Sequence, residues 1–265
     1  MTKAVLPKIA LVGNPNSGKS SLFNHLTGLK QKVGNFPGVT VDKKSGICQL
    51  DENHSAEIID LPGTYSIYPN SSDEKIVFEI LGDSTNQYYP DLVVVIADAS
   101  NFKRNLLLFT QIHDLNIPTI LVLNMMDVVE KTGLKINTQK LSELLNVPVV
   151  PMQARTGKGI DLLKSTIIDL SDHQDVKPIF DATKYAQQAI DEVKGIRNTT
   201  SDYAAYQLLQ QFKINSSITA TDNSRLMAVV ENHKFTADEL RRKETLERYA
   251  SINKLIDASV VCLPS

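Results

Sequence analysis

Residues 1–170 alternate short apolar runs with longer amphipathic stretches. The apolar runs are rich in Val and Ile, which favours β-strands, and apolar residues recur at helical spacing in the stretches between them. Strands are predicted at 9–12, 57–59, 92–97, 119–123 and 147–150, with a weaker edge candidate at 47–50. Helices are predicted at 20–29, 73–81, 101–115, 138–145 and 160–170. This alternation predicts a mostly parallel, six-stranded sheet flanked by helices on both faces.

The remainder of the chain has a different character. Of the 12 glycines, only Gly195 lies after Gly159, and prolines become scarce in the same way. Because Gly and Pro interrupt helices, their scarcity predicts a nearly all-helical segment. The predicted helices span 181–196, 201–213 and 223–258, the last broken near 235–237. The fold class is therefore α/β over residues 1–172, followed by a small all-helical domain over 173–265.

Composition excludes several classes of protein. The chain has 265 residues, 42% of them hydrophobic and 22% charged, and a net charge of −2. A chain with so little net charge has no basic footprint for nucleic acid or for an anionic membrane. A membrane helix needs about 18 or more consecutive apolar residues, and no stretch of this sequence approaches that length. The sequence therefore predicts a soluble chain. Cys48 and Cys262 match no metal-ligand spacing, as expected of reduced cysteines in the cytosol.

The first chemical motif is GNPNSGKS, Gly13 to Ser20, between the strand KIALV and the amphipathic segment SSLFNHLTGL. It fits the phosphate-binding loop G-x-x-x-x-G-K-[ST] in the strand–helix context that this loop requires. Backbone N–H groups would cradle the phosphates, Lys19 would reach the β and γ oxygens, and the Ser20 hydroxyl would bind Mg²⁺. The residues predicted to contact nucleotide here are Gly13, Asn14, Pro15, Asn16, Ser17, Gly18, Lys19, Ser20 and Ser21.

The second motif is DLPGTY, Asp60 to Tyr65, at the end of the next long strand. Asp60 is expected to hold Mg²⁺ and the Gly63 N–H to sense the γ-phosphate. Nucleotide contacts are predicted for Asp60, Leu61, Pro62 and Gly63. In well-known GTP hydrolases a Gln follows this glycine and orients the attacking water, whereas Thr64 stands here and is too short to do so. The sequence thus raises the question of what supports hydrolysis.

Two further strand-end motifs select the base. In NMMD, Asn124 to Asp127, the Asp127 carboxylate can accept from both N1–H and N2–H₂ of guanine, a pair of donors that adenine lacks. Asn124 is expected to tie this loop to the phosphate-binding loop, and the Met125 chain to cover the base. After the strand PVVPM, the Ala154 N–H is expected at guanine O6. Base-end contacts are predicted for Asn124, Met125, Asp127, Gln153, Ala154 and Arg155.

A third loop, VGNFPGVTVD, lies between the phosphate-binding helix and the Asp60 strand. The Thr40 hydroxyl would complete the Mg²⁺ shell only when a γ-phosphate is present, which would make this loop a switch. Gly38, Val39 and Thr40 are accordingly predicted as nucleotide contacts. The side chains predicted to support hydrolysis are Asn16, Lys19 and Thr40.

These blocks resemble one family. GNPNSGKSSLFN, VGNFPGVTVD, DLPGTYS, DASNFKRNL and LNMMD are similar, in order and spacing, to the cytoplasmic N-terminal region of the bacterial ferrous iron transport protein B family. VGNFPGVTV is the most specific, because generic small GTPases lack it. The resemblance is strong over about residues 1–170, while the helical tail matches only in size and character.

The resemblance implies a GTPase domain, a helical domain that slows GDP release, and then a membrane domain that moves Fe²⁺. On this interpretation the chain is the soluble N-terminal part of a longer protein, on the cytoplasmic side of the bacterial inner membrane. Its partners are guanine nucleotide and the membrane domain of the same polypeptide. The resemblance also implies a slow GTPase in which Asn16 and the carbonyls of Gly34 and Phe36 hold an activating K⁺, beside the Mg²⁺ held by Ser20, Thr40 and Asp60.

Two other functions remain open from the sequence. A soluble GTPase acting on the ribosome or on RNA would usually append a basic module, whereas residues 171–265 hold 12 Lys and Arg against 13 Asp and Glu. A nucleotide-binding scaffold that does not hydrolyse is compatible with Thr64. We expect no nucleic-acid partner, and the sequence leaves homo-oligomerisation open.

Overall fold

The computed structural model describes residues 6–36, 41–170, 177–199 and 201–262. The strands are β1 (Lys8–Gly13), β2 (Gln31–Asn35), β3 (Asp42–Gln49), β4 (Ser55–Asp60), β5 (Leu92–Asp98), β6 (Thr119–Asn124), β7 (Leu134–Ile136), β8 (Val149–Pro151) and β9 (Val260–Cys262). The helices are α1 (Lys19–Thr27), α2 (Ser72–Leu81), α3 (Phe102–His113), α4 (Met126–Lys131), α5 (Thr138–Leu145), α6 (Ile160–Asp169), α7 (Thr183–Ile196), α8 (Asp202–Gln211), α9 (Ala220–Asn232) and α10 (Ala237–Ser259).

The main sheet has seven strands in the order β2-β3-β4-β1-β5-β6-β8. Strands β4, β1, β5, β6 and β8 are mutually parallel, while β3 runs antiparallel to both β2 and β4. The predicted α/β class is confirmed, but the predicted count of six strands is one too low. The missing strand is β2, whose residues are all exposed and show no apolar alternation.

Successive residues of β1 pack into different hydrophobic clusters, as expected when both faces of a sheet are covered. Ile9 and Leu11 join a cluster with side chains of α1 and α6. Ala10 and Val12 join the other cluster, together with α2, α3, α5 and the C-terminal helices. The carboxyl end of β1 is therefore held firmly from both sides, where the loop after Gly13 begins.

The C-terminal helices agree with the pattern of the sequence. Helix α9 ends at Asn232 and α10 begins at Ala237, which confirms the predicted break near 235–237. The chain then returns to the first part of the molecule, because β9 pairs antiparallel with β7. Strands of three residues carry too little pattern to be predicted from sequence. No helix in the described ranges is long and apolar enough to cross a membrane.

A buried charge cluster joins helix α3 to α10. Arg248 donates from Nη1 to Asp114 at 2.8 Å and from Nε to Glu244 at 2.8 Å. Asp114 also accepts from the backbone N–H groups of Ile179 and Phe180, at 2.8 and 2.9 Å. Burial alone would raise the pKa of Asp114, but Arg248 and the hydrogen bonds hold that pKa below its usual value. The carboxylate is thus fully bonded in its charged form.

Replacing Asp114 by Asn is expected to lower the free energy of unfolding by about 3 kcal/mol at pH 7, because it breaks a buried, hydrogen-bonded ion pair. The pKa of Asp114 is lower folded than unfolded, so its contribution is present above about pH 4 and is lost as the pH falls further. Chemical denaturation from pH 7 to pH 3 should therefore show the two proteins converging. Asp257→Asn, which alters an exposed carboxylate on α10 with no ion pair among the described residues, is the control. Equal stability of wild type and Asp114→Asn at pH 7 would contradict this account.

Candidate functional site

The loop Gly13–Ser20 connects β1 to α1 and needs glycine at both ends. A Cβ on Gly13 would lie 2.7 Å from the carbonyl oxygen of Ile96. Gly18 has φ +98°, in the left-handed region, and a Cβ there would lie 2.1 Å from Nδ2 of Asn124. Only glycine allows this close approach, which brings the loop against the neighbouring strand ends.

Helix α1 begins at Lys19 immediately after Gly18, with no acidic residue in its first turn. The first N–H groups of a helix lack intrahelical partners and carry the positive end of the helix dipole. Ser20 and Ser21 lie exposed in this first turn. The geometry is that of an anion site, as the phosphate-binding motif in the sequence predicts.

The two charged residues of the predicted phosphate site contact each other directly. The Lys19 ammonium forms an ion pair with the carboxylate of Asp60, at the end of β4. Both side chains are about nine-tenths buried, with exposures of 11% and 8%. The Asp60 carboxylate and the Ser20 hydroxyl are the oxygen ligands that Mg²⁺ prefers. Gly38, Val39 and Thr40, predicted as nucleotide contacts, lie outside the described residues.

The turn after Asp60 is fixed to the phosphate loop. The Thr64 N–H donates to the carbonyl oxygen of Gly13 at 3.2 Å. Gly63 packs against Pro15, because a Cβ added to Gly63 would lie 3.4 Å from the proline ring. The Thr64 side chain is completely buried, and its hydroxyl donates to the Ser66 carbonyl at 2.6 Å. That hydroxyl is engaged inside the turn, so Thr64 stabilises the loop.

Asn124, the last residue of β6, joins three loops. Its Nδ2 donates to the carbonyl oxygen of Ser17 at 2.8 Å, which is the predicted tie to the phosphate loop. Its Oδ1 accepts from the Ala154 N–H at 2.8 Å. The Ala154 N–H that is predicted at guanine O6 thus donates to Asn124, because a carboxamide can hold one loop on each side.

The remaining base-end residues lie beside Asn124. Met125 has φ 62° and caps α4, so Asp127 falls in the first turn of that helix. Asp127 and Met125 are both partly exposed, which leaves them accessible to a ligand. Gln153 pairs with Lys158 in an isolated β-bridge, and this closes the loop that carries exposed Arg155.

The three residues proposed for a monovalent cation are not joined to one another. Asn16 is exposed, with φ 66°. Gly34 lies in the edge strand β2, and Phe36 is buried edge-to-face against Tyr88 with ring centroids 5.5 Å apart. Within the described ranges, no hydrogen bond links Asn16 to either residue. The same ranges contain no group of three His, Cys, Asp or Glu side chains suited to a metal.

Several polar residues next to the site were not predicted from the sequence. Gln111 on α3 accepts from the backbone N–H of Ile67 at 2.9 Å, and Glu244 on α10 accepts from the Tyr68 hydroxyl. Glu244 and Arg248 are four residues apart, which is the spacing of a helical ion pair and the one sequence signal available. That spacing is common on exposed helices, so it did not indicate a buried cluster.

Three strand-end loops thus converge on one phosphate-binding loop at the carboxyl edge of the parallel strands, where open α/β sheets bind their ligands. This arrangement defines the class: the first part of the chain is a P-loop GTPase domain. A profile of the family described as "Ferrous iron transport protein B" matches residues 7–167. The chain belongs to the ferrous iron transport protein B family.

Full-length relatives agree with this assignment. The Fe(2+) transporter FeoB of Leptospira biflexa is 34% identical over 262 residues, which cover 95% of this chain and 37% of that protein. The Escherichia coli K12 transporter is 41% identical over 194 residues, covering 71% of this chain and 24% of that protein. The chain therefore spans well under half the length of these relatives.

Solved structures agree over nearly the whole chain. The cytosolic domain of L. pneumophila FeoB has a TM-score of 0.79 and 31% identity, covering 96% of this chain and 99% of that one. The cytosolic domain of T. maritima FeoB in its GMPPNP form has a TM-score of 0.78 and 30% identity, covering 97% and 100%. A mutant of S. thermophilus NFeoB bound to GDP has a TM-score of 0.77 and 33% identity, covering 97% and 100%.

Proposed function

We propose that this chain binds GTP and GDP and slowly hydrolyses GTP to GDP and phosphate, as the regulatory region of a ferrous iron transporter. The observation that carries the proposal is the side chain of Asn124. Asn124 forms hydrogen bonds with Ser17 and Ala154, at 2.8 Å each, and so fixes the phosphate loop and the base-end loops relative to one another. The GDP and GMPPNP complexes of relatives with the same overall fold support guanine nucleotide as the ligand.

Each predicted residue then has a role that follows from its chemistry. Lys19 would leave Asp60 to bind the β and γ phosphate oxygens, which carry more negative charge than one carboxylate. Ser20, Asp60 and Thr40 would hold Mg²⁺, which neutralises phosphate charge when bound. The Asp127 carboxylate would accept both guanine donors, while the thioether chain of Met125 would cover the ring face.

Hydrolysis without a glutamine needs another source of water alignment and positive charge. The Thr64 hydroxyl is engaged with Ser66, so the loop backbone after Gly63 would orient the attacking water. Asn16 would supply the charge indirectly, by holding K⁺ with the carbonyl groups of Gly34 and Phe36, where an arginine finger acts in other GTPases. A rate that depends on an exogenous ion would be slow in its absence.

The transport role belongs to the whole protein and is part of the proposal. The full-length relatives are Fe(2+) transporters and are much longer than this chain. The region described here would act at the cytoplasmic face of the bacterial inner membrane and report nucleotide state to a membrane domain of the same polypeptide. Residues 173–265 would form its helical regulatory domain.

Fluorescent nucleotides test the binding function. GDP and GTP analogues are expected to bind in Mg²⁺, and an ATP analogue is expected not to bind at equal concentration. Competition with unlabelled GDP and ATP provides the control for contacts made by the fluorophore. Binding of ATP as tight as that of GTP would overturn the assignment of guanine specificity.

Removing residues 173–265 is expected to accelerate GDP dissociation about fivefold or more. Fivefold is about the lower end of the range by which one site affects another. The reason is that the C-terminal part contacts the base end of the predicted site, because β9 pairs with β7, the strand that follows α4 and its residue Asp127. Stopped-flow release of a fluorescent GDP would measure the change. Because the cut exposes apolar residues of α3, circular dichroism must first show a folded domain. An unchanged release rate in a folded truncation would contradict the regulatory role.

A further inference from the structure

The segment Thr64–Tyr68 is hydrogen-bonded along its length. At its start, the Thr64 N–H donates to Gly13 in the phosphate loop at 3.2 Å. In the middle, Oε1 of Gln111 accepts from the Ser66 hydroxyl at 3.0 Å and from the Ile67 N–H at 2.9 Å. The backbone from Thr64 to Ile67 is therefore held in place by hydrogen bonds to the phosphate loop and to α3.

The far end of the segment is held by the C-terminal helices. The Tyr68 hydroxyl donates to Oε2 of Glu244 on α10, and Nε2 of Gln211 on α8 donates to the Ile67 carbonyl at 3.3 Å. The Arg241 guanidinium lies over the Tyr68 ring, 4.3 Å from its centroid. Both helices belong to the part of the chain after residue 173, yet they hold a loop of the GTPase domain.

Glu244 is itself fixed in place. Its Oε1 accepts from the Tyr203 hydroxyl at 2.5 Å and from Nε of Arg248 at 2.8 Å. Glu244 and Arg248 are both completely buried, and Arg248 is bonded in turn to Asp114, the residue that follows α3. A buried, fully bonded carboxylate is a rigid acceptor, because any displacement would break several charge-assisted bonds.

Tyr68 is the donor toward Oε2 of this carboxylate. Burial raises the pKa of Tyr68 well above its usual value, and the nearby Glu244 carboxylate raises it further. The phenol therefore stays protonated at neutral pH. Nε2 of Gln207 donates to the same hydroxyl at 2.8 Å, so the oxygen is both donor and acceptor.

We propose that Glu244 and Gln211, acting through Tyr68 and Ile67, are positioning residues for GTP hydrolysis. They anchor the loop after Gly63 so that its backbone can orient the attacking water. The inference rests on the proposed GTPase activity and adds to it a requirement for the helical part in the hydrolysis step itself. This requirement is distinct from control of GDP release.

The physical reason is the missing glutamine. A Gln side chain can adjust to the water, whereas a backbone group is only as well placed as the loop that carries it. Misplacement by about 1 Å can cost about 100-fold in rate. Because the Thr64 side chain is engaged with Ser66, the accuracy of this loop depends on its two bonded ends.

The variant Tyr68→Phe tests the inference in the full chain. It removes the hydrogen bond that Tyr68 donates to the buried Glu244 carboxylate and the one that it accepts from Gln207. It is expected to lower the single-turnover rate of GTP hydrolysis about tenfold. The Kd for GTP and the rate of GDP dissociation should stay within about twofold of wild type, because the phosphate and base contacts are untouched. A merely structural role would not separate the hydrolysis rate from binding in this way.

Tyr185→Phe is the matched control, because Tyr185 donates to Glu247 on the exposed side of α10. It makes the same chemical change to a tyrosine whose acceptor lies on the same helix, α10, and should leave hydrolysis as it is. Gln211→Met removes the second anchor and should slow hydrolysis about threefold. This factor corresponds to a part of the free energy of one hydrogen bond. It also serves as the test if Tyr68→Phe does not fold.

The outcomes separate the two claims. If wild type hydrolyses GTP and a folded Tyr68→Phe or Gln211→Met protein does so at the same rate, this inference is wrong and the proposed function stands. A rate loss matched by an equal loss of GTP affinity, or an equal effect of Tyr185→Phe, also overturns it. If wild type itself releases no phosphate from GTP, the proposed function fails first.

Discussion

Replacing Asp127 by Asn is expected to weaken GDP and GTP binding about 100-fold and to favour xanthine nucleotides. A carboxylate accepts from both N1–H and N2–H₂ of guanine, while an amide presents one acceptor and one donor. Losing charge-assisted bonds and leaving a base donor unpaired costs about 3 kcal/mol. Asp127 lies in the first turn of α4 and is partly exposed, directly beside Asn124 and Met125. Titration of each protein with fluorescent GDP and XDP measures the change in relative affinity for the two nucleotides.

Glu130→Gln is the control for this prediction, because Glu130 is an exposed carboxylate on the same short helix. It should bind GDP as wild type does, which separates a local change of charge from loss of the base contact. Undiminished GDP binding by Asp127→Asn would contradict the assignment of the base end. The proposed roles of Lys19 and Asp60 at the phosphate end would be unaffected by that result.

Replacing Asn16 by Ala is expected to abolish acceleration of GTP hydrolysis by K⁺ while keeping GTP binding. The carboxamide of Asn16 is exposed on the phosphate loop, and its φ of 66° is one that Asn tolerates. If it holds the ion that neutralises charge between the β and γ phosphates, its loss removes a term worth about 100-fold in rate. Phosphate release in KCl and NaCl at matched ionic strength measures the response.

Thr64→Ala is the companion variant. Its hydroxyl bonds within the loop, so the ratio of rates in K⁺ and Na⁺ should persist even if the absolute rate falls somewhat. Equal wild-type rates in the two salts would show that Asn16 merely supports the loop. A K⁺ response that survives in Asn16→Ala would instead place the ion elsewhere.

The sequence was sufficient for the parallel strands because they are short, rich in Val and Ile, and separated by amphipathic stretches. It was insufficient for β2, whose five residues are all exposed and are held as a strand only by pairing with β3. The phosphate loop was predictable because its glycines and its flanking strand and helix are local features. The pairing of β9 with β7 joins residues more than a hundred positions apart, which no local pattern encodes.

The candidate site shows the same division. The tie from Asn124 to the phosphate loop was predictable from motif order, and the structure contains it at 2.8 Å. The second bond of Asn124, to the Ala154 N–H, was not, because it depends on how closely two loops approach. Glu244 is separated from Tyr68 by 176 residues, so only the packing of α10 against α3 reveals their contact.

Phosphate release from GTP and from ATP, measured side by side in Mg²⁺ and KCl, tests the central claim most directly. The account predicts phosphate from GTP in clear molar excess over protein, and none from ATP above the buffer blank. Lys19→Ala, which removes the ammonium expected at the phosphates, should reduce the GTP signal to the blank and so exclude a contaminating enzyme. No release from GTP by the wild-type chain, or equal release from ATP, would contradict the account.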